Sequence, residues 1–363
     1  MKLDDLTREP ATWLRKAGPD SDVVISSQIQ LIRNLAGYSF CGRATDLDLE
    51  SVKKTVRQAT EELFPVEETT WFDVADFGEE DFQILRERHL INQDFVDSRN
   101  PRALFLKNNE EFSVSVNAVD HLLFQEMSGG FALDELWNAV NVIDDTFESA
   151  LVYAFDEKYG YLSANLSDVG TGLHASVVLH LPALMETKEI SKTFESLKQL
   201  NCAMSSVCGT CSLPVDRIKR LSGDFFQVST RRTLGLSEER IIELFSCIIR
   251  GVVNYERKAR QTVMERNKEG LLDRCSRSLG LLQTARMTSM EEASRLLSSL
   301  RLGAEMGILD ESTRTIIDEA LVGVQPAHIV RIVDANALDL EEEATFRAQY
   351  LRSKFENVAL PQG

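Results

Sequence analysis

The sequence lacks any dense run of lysine and arginine. Its 40 basic residues are scattered among 57 acidic ones, for a formal charge of −17. Proteins that bind nucleic acid need a basic patch that displaces counterions, so this composition argues against nucleic acid as a partner. Long apolar runs are missing too. The longest are strand-length and interrupted, which excludes a membrane-spanning helix as an expectation. The opening residues, MKLDDLTREP, are acidic and polar and do not read as a secretory signal. Cysteine is scarce: six in 363 residues cannot build a dense disulfide framework, and a cytoplasmic location fits them best. No internal repeat or low-complexity tract interrupts the chain.

What is present is a chain that is 43% hydrophobic and long enough for two cored domains. Strand signals cover 22–32. Leu49, Val52, Val56, Ala59 and Leu63 recur at helical spacing over 47–64, and Pro65 ends that run. Alternation in 102–119 predicts a hairpin turning at Lys107-Asn108-Asn109-Glu110. Helices are expected over 131–149 and 187–200, with strand formers and glycines filling 151–184. From about 237 the pattern is helical almost throughout, with stripes such as Ala293, Leu296, Leu297 and Leu300. The expected division is a cap at 1–20, a mixed α+β domain at 21–258 and a helical domain at 259–363.

The stretch SSQIQLIRN (26–34) reads as a strand with Ile25, Ile29 and Leu31 on one face and Gln28 and Gln30 on the other. Side chains two apart point the same way and lie roughly 6.6 Å apart, so these two amides address neighbouring groups of one ligand. A ligand-facing pair of neutral amides is an unusual choice.

This stretch, VNAVDHLLFQ (116–125), GYLSANLSDVGTGLHASVVLHLP (160–182) and FFQVSTRRTLGLSEERII (225–242) with YERKAR (255–260) together resemble the ATP:guanidino phosphotransferase family. The resemblance is strongest to its bacterial protein-arginine kinase branch. It implies an antiparallel β-sheet flanked by helices, followed by an all-α C-terminal domain. It also implies phosphoryl transfer from Mg-ATP to a guanidinium nitrogen. An arginine clamp stabilises the anionic transition state, and paired acids hold the guanidinium.

Carried over residue by residue, the family pattern is emptied of charge. Its clamp arginines correspond to Gln28, Gln30, Leu123, His174 and Ser205, and its paired acids to Ala118 and Val119. Asn165 stands where a cysteine borders the guanidino substrate. Ser27 and His89 fall at positions assigned to the nucleotide site. Arg33 remains, and a structural ion pair is its expected role. In the C-terminal domain the branch carries an Arg-Asp-x-x-Arg-Ala phosphoarginine site. Here that segment begins at Glu343 and Ala344, with Arg347 and Ala348 retained.

One lost charge-stabilising donor costs about 10²–10³ in rate, and a phosphate-directed arginine is worth about 10³–10⁵. The expectation is therefore a non-catalytic pseudokinase that needs no cofactor and works by protein contacts, as scaffold, adaptor or regulator. The resemblance implies a homodimer and partners such as a small zinc-binding activator of the McsA type or Clp-type unfolding machinery. The alternative is a weak or altered ATP-dependent protein-arginine phosphotransferase, for which Asp120 and Asp168 are the available charged groups. A third reading is a module that binds a neutral or cationic ligand in the emptied cleft. Cys208 and Cys211 form a CxxC. No second close pair completes a zinc set, and no strand-to-helix context supports a redox pair, so incidental thiols are expected. Glu341-Glu342-Glu343 reads as a solvated helix start.

Overall fold

In the computed structural model, residues 10–15, 17–208, 211–213, 223–335 and 337–359 are described. Among these residues, nine strands form one antiparallel sheet. In chain order they are β1 (Val24–Arg33), β2 (Thr69–Asp73), β3 (Ala103–Lys107), β4 (Phe112–Val116), β5 (Leu122–Gly129), then β8 (Leu173–His180), β9 (Cys202–Cys208), β10 (Cys211–Leu213) and β11 (Phe225–Thr230). Two short strands, β6 (Phe155–Asp156) and β7 (Gly160–Tyr161), pair separately. The spatial order is β10-β9-β11-β8-β1-β5-β4-β3-β2, which puts β1 near the centre. The predicted 102–119 hairpin is β3–β4, and its turn closes on Glu110 at φ 59°.

Among the described residues, helix α1 (Thr12–Arg15) precedes β1, and α2 (Asp46–Leu63), α3 (Glu79–Glu87), α4 (Gln93–Asp97) and α5 (Leu133–Glu148) are threaded between strands. Two more, α6 (Pro182–Glu186) and α7 (Ile190–Gln199), precede β9. The helix α2 starts at a reciprocal Thr45/Asp48 cap and buries Leu49, Val52, Val56 and Ala59, the stripe expected from sequence. Its apolar side joins α5 and the first half of α8 (Glu238–Thr284) in covering one face of the sheet, where Ile29, Leu31, Phe124 and Val177 form the core.

The chain then passes into a helical unit. Backbone at Asn267 is non-helical (φ −151°, ψ 55°) and breaks α8 between Val263, in the sheet's core, and Leu271, in the next one. That second core is shared with α9 (Met290–Glu305), α10 (Ser312–Gly323) and α12 (Leu340–Phe355), with the short α11 (Pro326–Ile332) alongside. Asp339 caps α12, and its first turn carries Glu341, Glu342 and Glu343, acids that suit a helix N-terminus. Among the described residues no helix is long and apolar enough to cross a membrane.

Sheet and helical unit meet along a seam of buried charge. Arg301 on α9, 1% exposed, donates to the carbonyls of Ser21 (2.7 Å) and Asp22 (3.0 Å) and pairs with Asp318 at 2.9 Å. Arg257 grips Asp20 and Asp22 at 2.7 and 2.5 Å. The buried Glu87 carboxylate accepts from the Ala327 and His328 amides and lies 2.8 Å from His328 Nδ1, capping α11.

Candidate functional site

The sheet face opposite the main core bears the strand pattern noted in the sequence, with one departure. Ile29 and Leu31 point into the core as expected, but a bulge between Val24 and Ser26 turns Ile25 into a separate cluster with Trp13, Met127 and Phe225. Gln28 and Gln30 face the open side. Directly opposed residues on antiparallel neighbours share a face, so Gln30 is aligned with His174 and Gln125, and Gln28 with Ser176 and Met127.

The two amides are bonded to neighbouring side chains. Gln30 Nε2 donates to Gln125 Oε1 at 2.8 Å, and the Gln125 amide donates to the His89 carbonyl. Ser176 Oγ donates to Gln28 Oε1 at 3.1 Å and accepts from Gln227 Nε2 at 3.4 Å. Ser205 lies opposite Gln227 on β9. A band of neutral groups therefore crosses four strands, with its donors and acceptors largely satisfied by one another.

Beside this band is a cavity of about 220 Å³. Gln30, Ala118, Val119, Leu123, Asn165 and His174, all expected at one site, line it together with Asp120 and Asp168. Sequence reasoning missed Asn92 and Asp94, which enter from the start of α4. The Asn92 side chain caps that helix through the Phe95 amide (2.9 Å), a local signal that was readable. Only the fold brings it to the cavity.

The charged groups here fall into two kinds. Asp120 is a structural pin: its Oδ1 accepts from Asn34 Nδ2 (2.6 Å), the Ala164 amide (2.7 Å) and Ser163 Oγ (3.1 Å). Asp168 instead faces His174, with Oδ1 3.1 Å from Nε2. Burial pushes the Asp168 carboxyl upward, but the hydrogen bond and charge of His174 outweigh it and hold it below the usual range. Neither lysine nor arginine occurs among the cavity's described lining residues.

Four expected site residues do not line this cavity: Ser205, opposite Gln227 on β9, and Ser27, His89 and Gln28. Ser27, assigned to the nucleotide site, points to the opposite face. It is fully buried, donates to the Gly130 carbonyl (2.7 Å) and accepts from the Ala132 amide, pinning the loop before α5. Odd and even positions of a strand cannot serve one face, and Ser27 is odd. His89 contributes only its carbonyl to the band. Its ring packs edge-on to Trp13 and lines a different cavity of about 60 Å³, shared with Met290 and Leu321 of the helical unit. Burial lowers its pKa to about 4, leaving a neutral ring at physiological pH. Gln28 is on the open face but does not line the larger cavity.

Arg33, on the core side of the same strand, is a structural arginine. It is 1% exposed, bonds Asp144 Oδ2 at 2.6 Å and the Thr171 carbonyl at 2.8 Å, and lies 3.4 Å over the Tyr161 ring. Gly172 beside it has φ +65°, and a Cβ there would sit 2.6 Å from the Ile32 carbonyl, which only glycine avoids. In α12, Arg347 is likewise consumed. It donates to the Val324 (2.8 Å) and Thr288 (3.2 Å) carbonyls and pairs with Glu343 at 3.0 Å, while Ala344 supplies no charge. Cys208 and Cys211 are Cα partners across β9–β10, but their side chains lie outside the described residues. Among the described residues no cluster of His, Cys, Asp and Glu is arranged to hold a metal.

The titratable groups lining this cavity are Asp94, Asp120, Asp168 and His174. At 4 Å in an effective dielectric of 20, each facing carboxylate repels a unit negative charge by about 4 kcal/mol, and several polar atoms of the band are bonded to one another. Carboxylate oxygens accept hydrogen bonds, so a lining of this kind favours a neutral donor or a cation.

Comparison with known proteins gives the lineage. A family model described as ATP:guanido phosphotransferase, C-terminal catalytic domain, matches residues 51–259, and one described as Protein-arginine kinase McsB C-terminal domain matches 268–363. The chain is 35% identical to the protein-arginine kinase of Symbiobacterium thermophilum over 353 residues, covering 96% of this chain and 98% of that one. It is 32% identical to that of Halothermothrix orenii over 355 residues, covering 98% and 99%. In fold it resembles lombricine kinase, with a TM-score of 0.55 at 20% identity over 68% of this chain and 71% of that one. The resemblance read from the four motifs is thus confirmed in family and in fold, and the chain belongs to the protein-arginine kinase branch of the ATP:guanidino phosphotransferases.

Proposed function

We propose that this chain is a catalytically silent member of its family that acts through protein contacts, as scaffold, adaptor or regulator. One observation carries the reading: the face where the family pattern calls for a cationic clamp presents amides and hydroxyls bonded to each other, beside a cavity lined by carboxylates. Phosphoryl transfer depends on positioned positive charge. With five clamp positions and both paired-acid positions neutralised or nearly so, the acceleration lost exceeds any single-site effect, even allowing for non-additivity. The scaffold is retained, and retained surfaces are what a contact-based role needs. A zinc-binding activator or a Clp-type unfolding machine is the partner class this lineage suggests, and a homodimer the assembly.

The Asp168–His174 pair favours the second reading, altered phosphotransfer chemistry, because a carboxylate orienting an imidazole in a cavity is a general-base arrangement. One experiment separates the two. Purified chain is incubated with Mg-ATP and an arginine-rich acceptor protein, with and without a zinc-binding activator, and phosphoarginine is sought by mass spectrometry. No chain-dependent phosphoarginine is expected. Its time-dependent appearance would falsify the silent reading, and loss of that signal in His174→Ala would establish the second.

A further inference from the structure

A smaller cavity, of about 120 Å³, lies between the end of α7, the ends of β9 and β11 and the first turns of α8. Small-molecule sites run roughly 300–1,000 Å³, so this one has room for a side chain and not for a cofactor. Its floor is Ile241 and Phe245, both buried. Around it stand exposed leucines: Leu200 at 54%, Leu244 at 38% and, next to the lining residues, Leu234 at 49%. Grouped exposed apolar side chains mark contact sites more often than scattered ones do.

The rim is basic in an otherwise acidic protein. Arg231 and Arg232 line the groove and are exposed. Among the described residues Arg231 forms no ion pair, and Arg232 donates only to the Leu234 carbonyl at 3.0 Å. The nearby Arg240 is already paired with Glu243. Cys202, also in the lining, supplies no counter-charge: burial pushes its thiol up to about 11, with Arg231 pulling weakly the other way. Arginine beside an apolar pocket is a favoured composition for binding hot spots, because its fork pairs with carboxylate while its stem packs.

We propose that this groove docks a short acidic segment of a partner protein, with one aliphatic side chain seated over Ile241 and Phe245 and a carboxylate on Arg231 or Arg232. Charge complementarity selects an acidic occupant, and the cavity size limits insertion to a single side chain. The proposal rests on the reading that the chain works through contacts, but its test measures no phosphotransfer, so the two fail separately.

The test uses the full chain and fluorescence polarisation with a set of short peptides, flanked by aspartate and glutamate and centred on leucine, isoleucine, valine, phenylalanine or glycine. Aliphatic-centred peptides are expected to bind at least about tenfold more tightly than the glycine-centred one, and the double variant Arg231→Glu, Arg232→Glu to lose at least about tenfold. Leu244→Asp should weaken binding as well, and because all three residues are exposed the variants' melting temperatures should match the parent's. The proposal is overturned if no aliphatic-centred peptide binds, if the glycine-centred peptide binds equally well, or if charge reversal leaves binding unchanged.

Discussion

The cleft and the interdomain seam treat charge in opposite ways. In the seam, arginines are engaged with carboxylates and carbonyls: the buried Arg301 with Asp318 and two carbonyls, the buried Arg260 with Glu256 at 2.8 Å, and the half-buried Arg257 with Asp20 and Asp22. In the cleft, the positions that the family pattern gives to arginine hold glutamine, leucine, histidine and serine. Arginine ties the sheet to the helical unit, while the described lining of the cavity holds neither arginine nor lysine. Strand β1 shows the contrast within a few residues, with Gln30 on one face and Arg33 on the other.

The comparison is tested most severely at Arg301. Removing one member of a buried charge network strands its partners, so Arg301→Ala should cost about 3–5 kcal/mol of unfolding free energy in urea titration. Arg33→Ala, which leaves Asp144 uncompensated, should fall in the same range of about 3–5 kcal/mol. Across the strand, Gln30→Ala removes one neutral hydrogen bond and should cost only about 1 kcal/mol. If Gln30→Ala proves as damaging as Arg301→Ala, the distinction between seam and cleft collapses.

A pH effect sharpens the same contrast. His180 is fully buried at the seam, 2.9 Å from Ser298 Oγ, and burial together with Arg301 and Arg260 holds its pKa well below the ordinary value. Asp224 faces it only through Ser298. As pH falls through about 6.5, the unfolded chain takes up a proton that the folded ring refuses, so stability is lost on acidification. Stability measured from pH 7 down to 5 should therefore decline, and less steeply in His180→Asn. An unchanged slope in that variant would remove His180 from the account.

Much of the fold was legible because its signals are local. The α2 stripe, the β3–β4 hairpin and the alternation of β1 follow from side-chain period alone, and four motifs carried the lineage. Six residues that the family pattern groups together do line one cavity. What escaped was whatever depends on neighbours distant in the chain. Ser27 was assigned to the wrong face although its odd position argued against it. The bulge that turns Ile25 is invisible to a periodic reading. Gln125, Ser176 and Gln227, which bond the amides of β1 directly or in turn, come from three other strands, and no pattern within 26–34 announces them. Asn92 and Asp94 reach the cavity only after the sheet has assembled.

The most direct measurement is calorimetric titration of Mg-ATP into the chain and into a re-armed variant carrying Gln28→Arg, Gln30→Arg, Leu123→Arg and His174→Arg. The account predicts no detectable binding by the unaltered chain at roughly millimolar nucleotide, the weak end of the affinity scale, and measurable binding once the cations return. Tight, roughly micromolar binding by the unaltered chain, unaffected by the four substitutions, would contradict it.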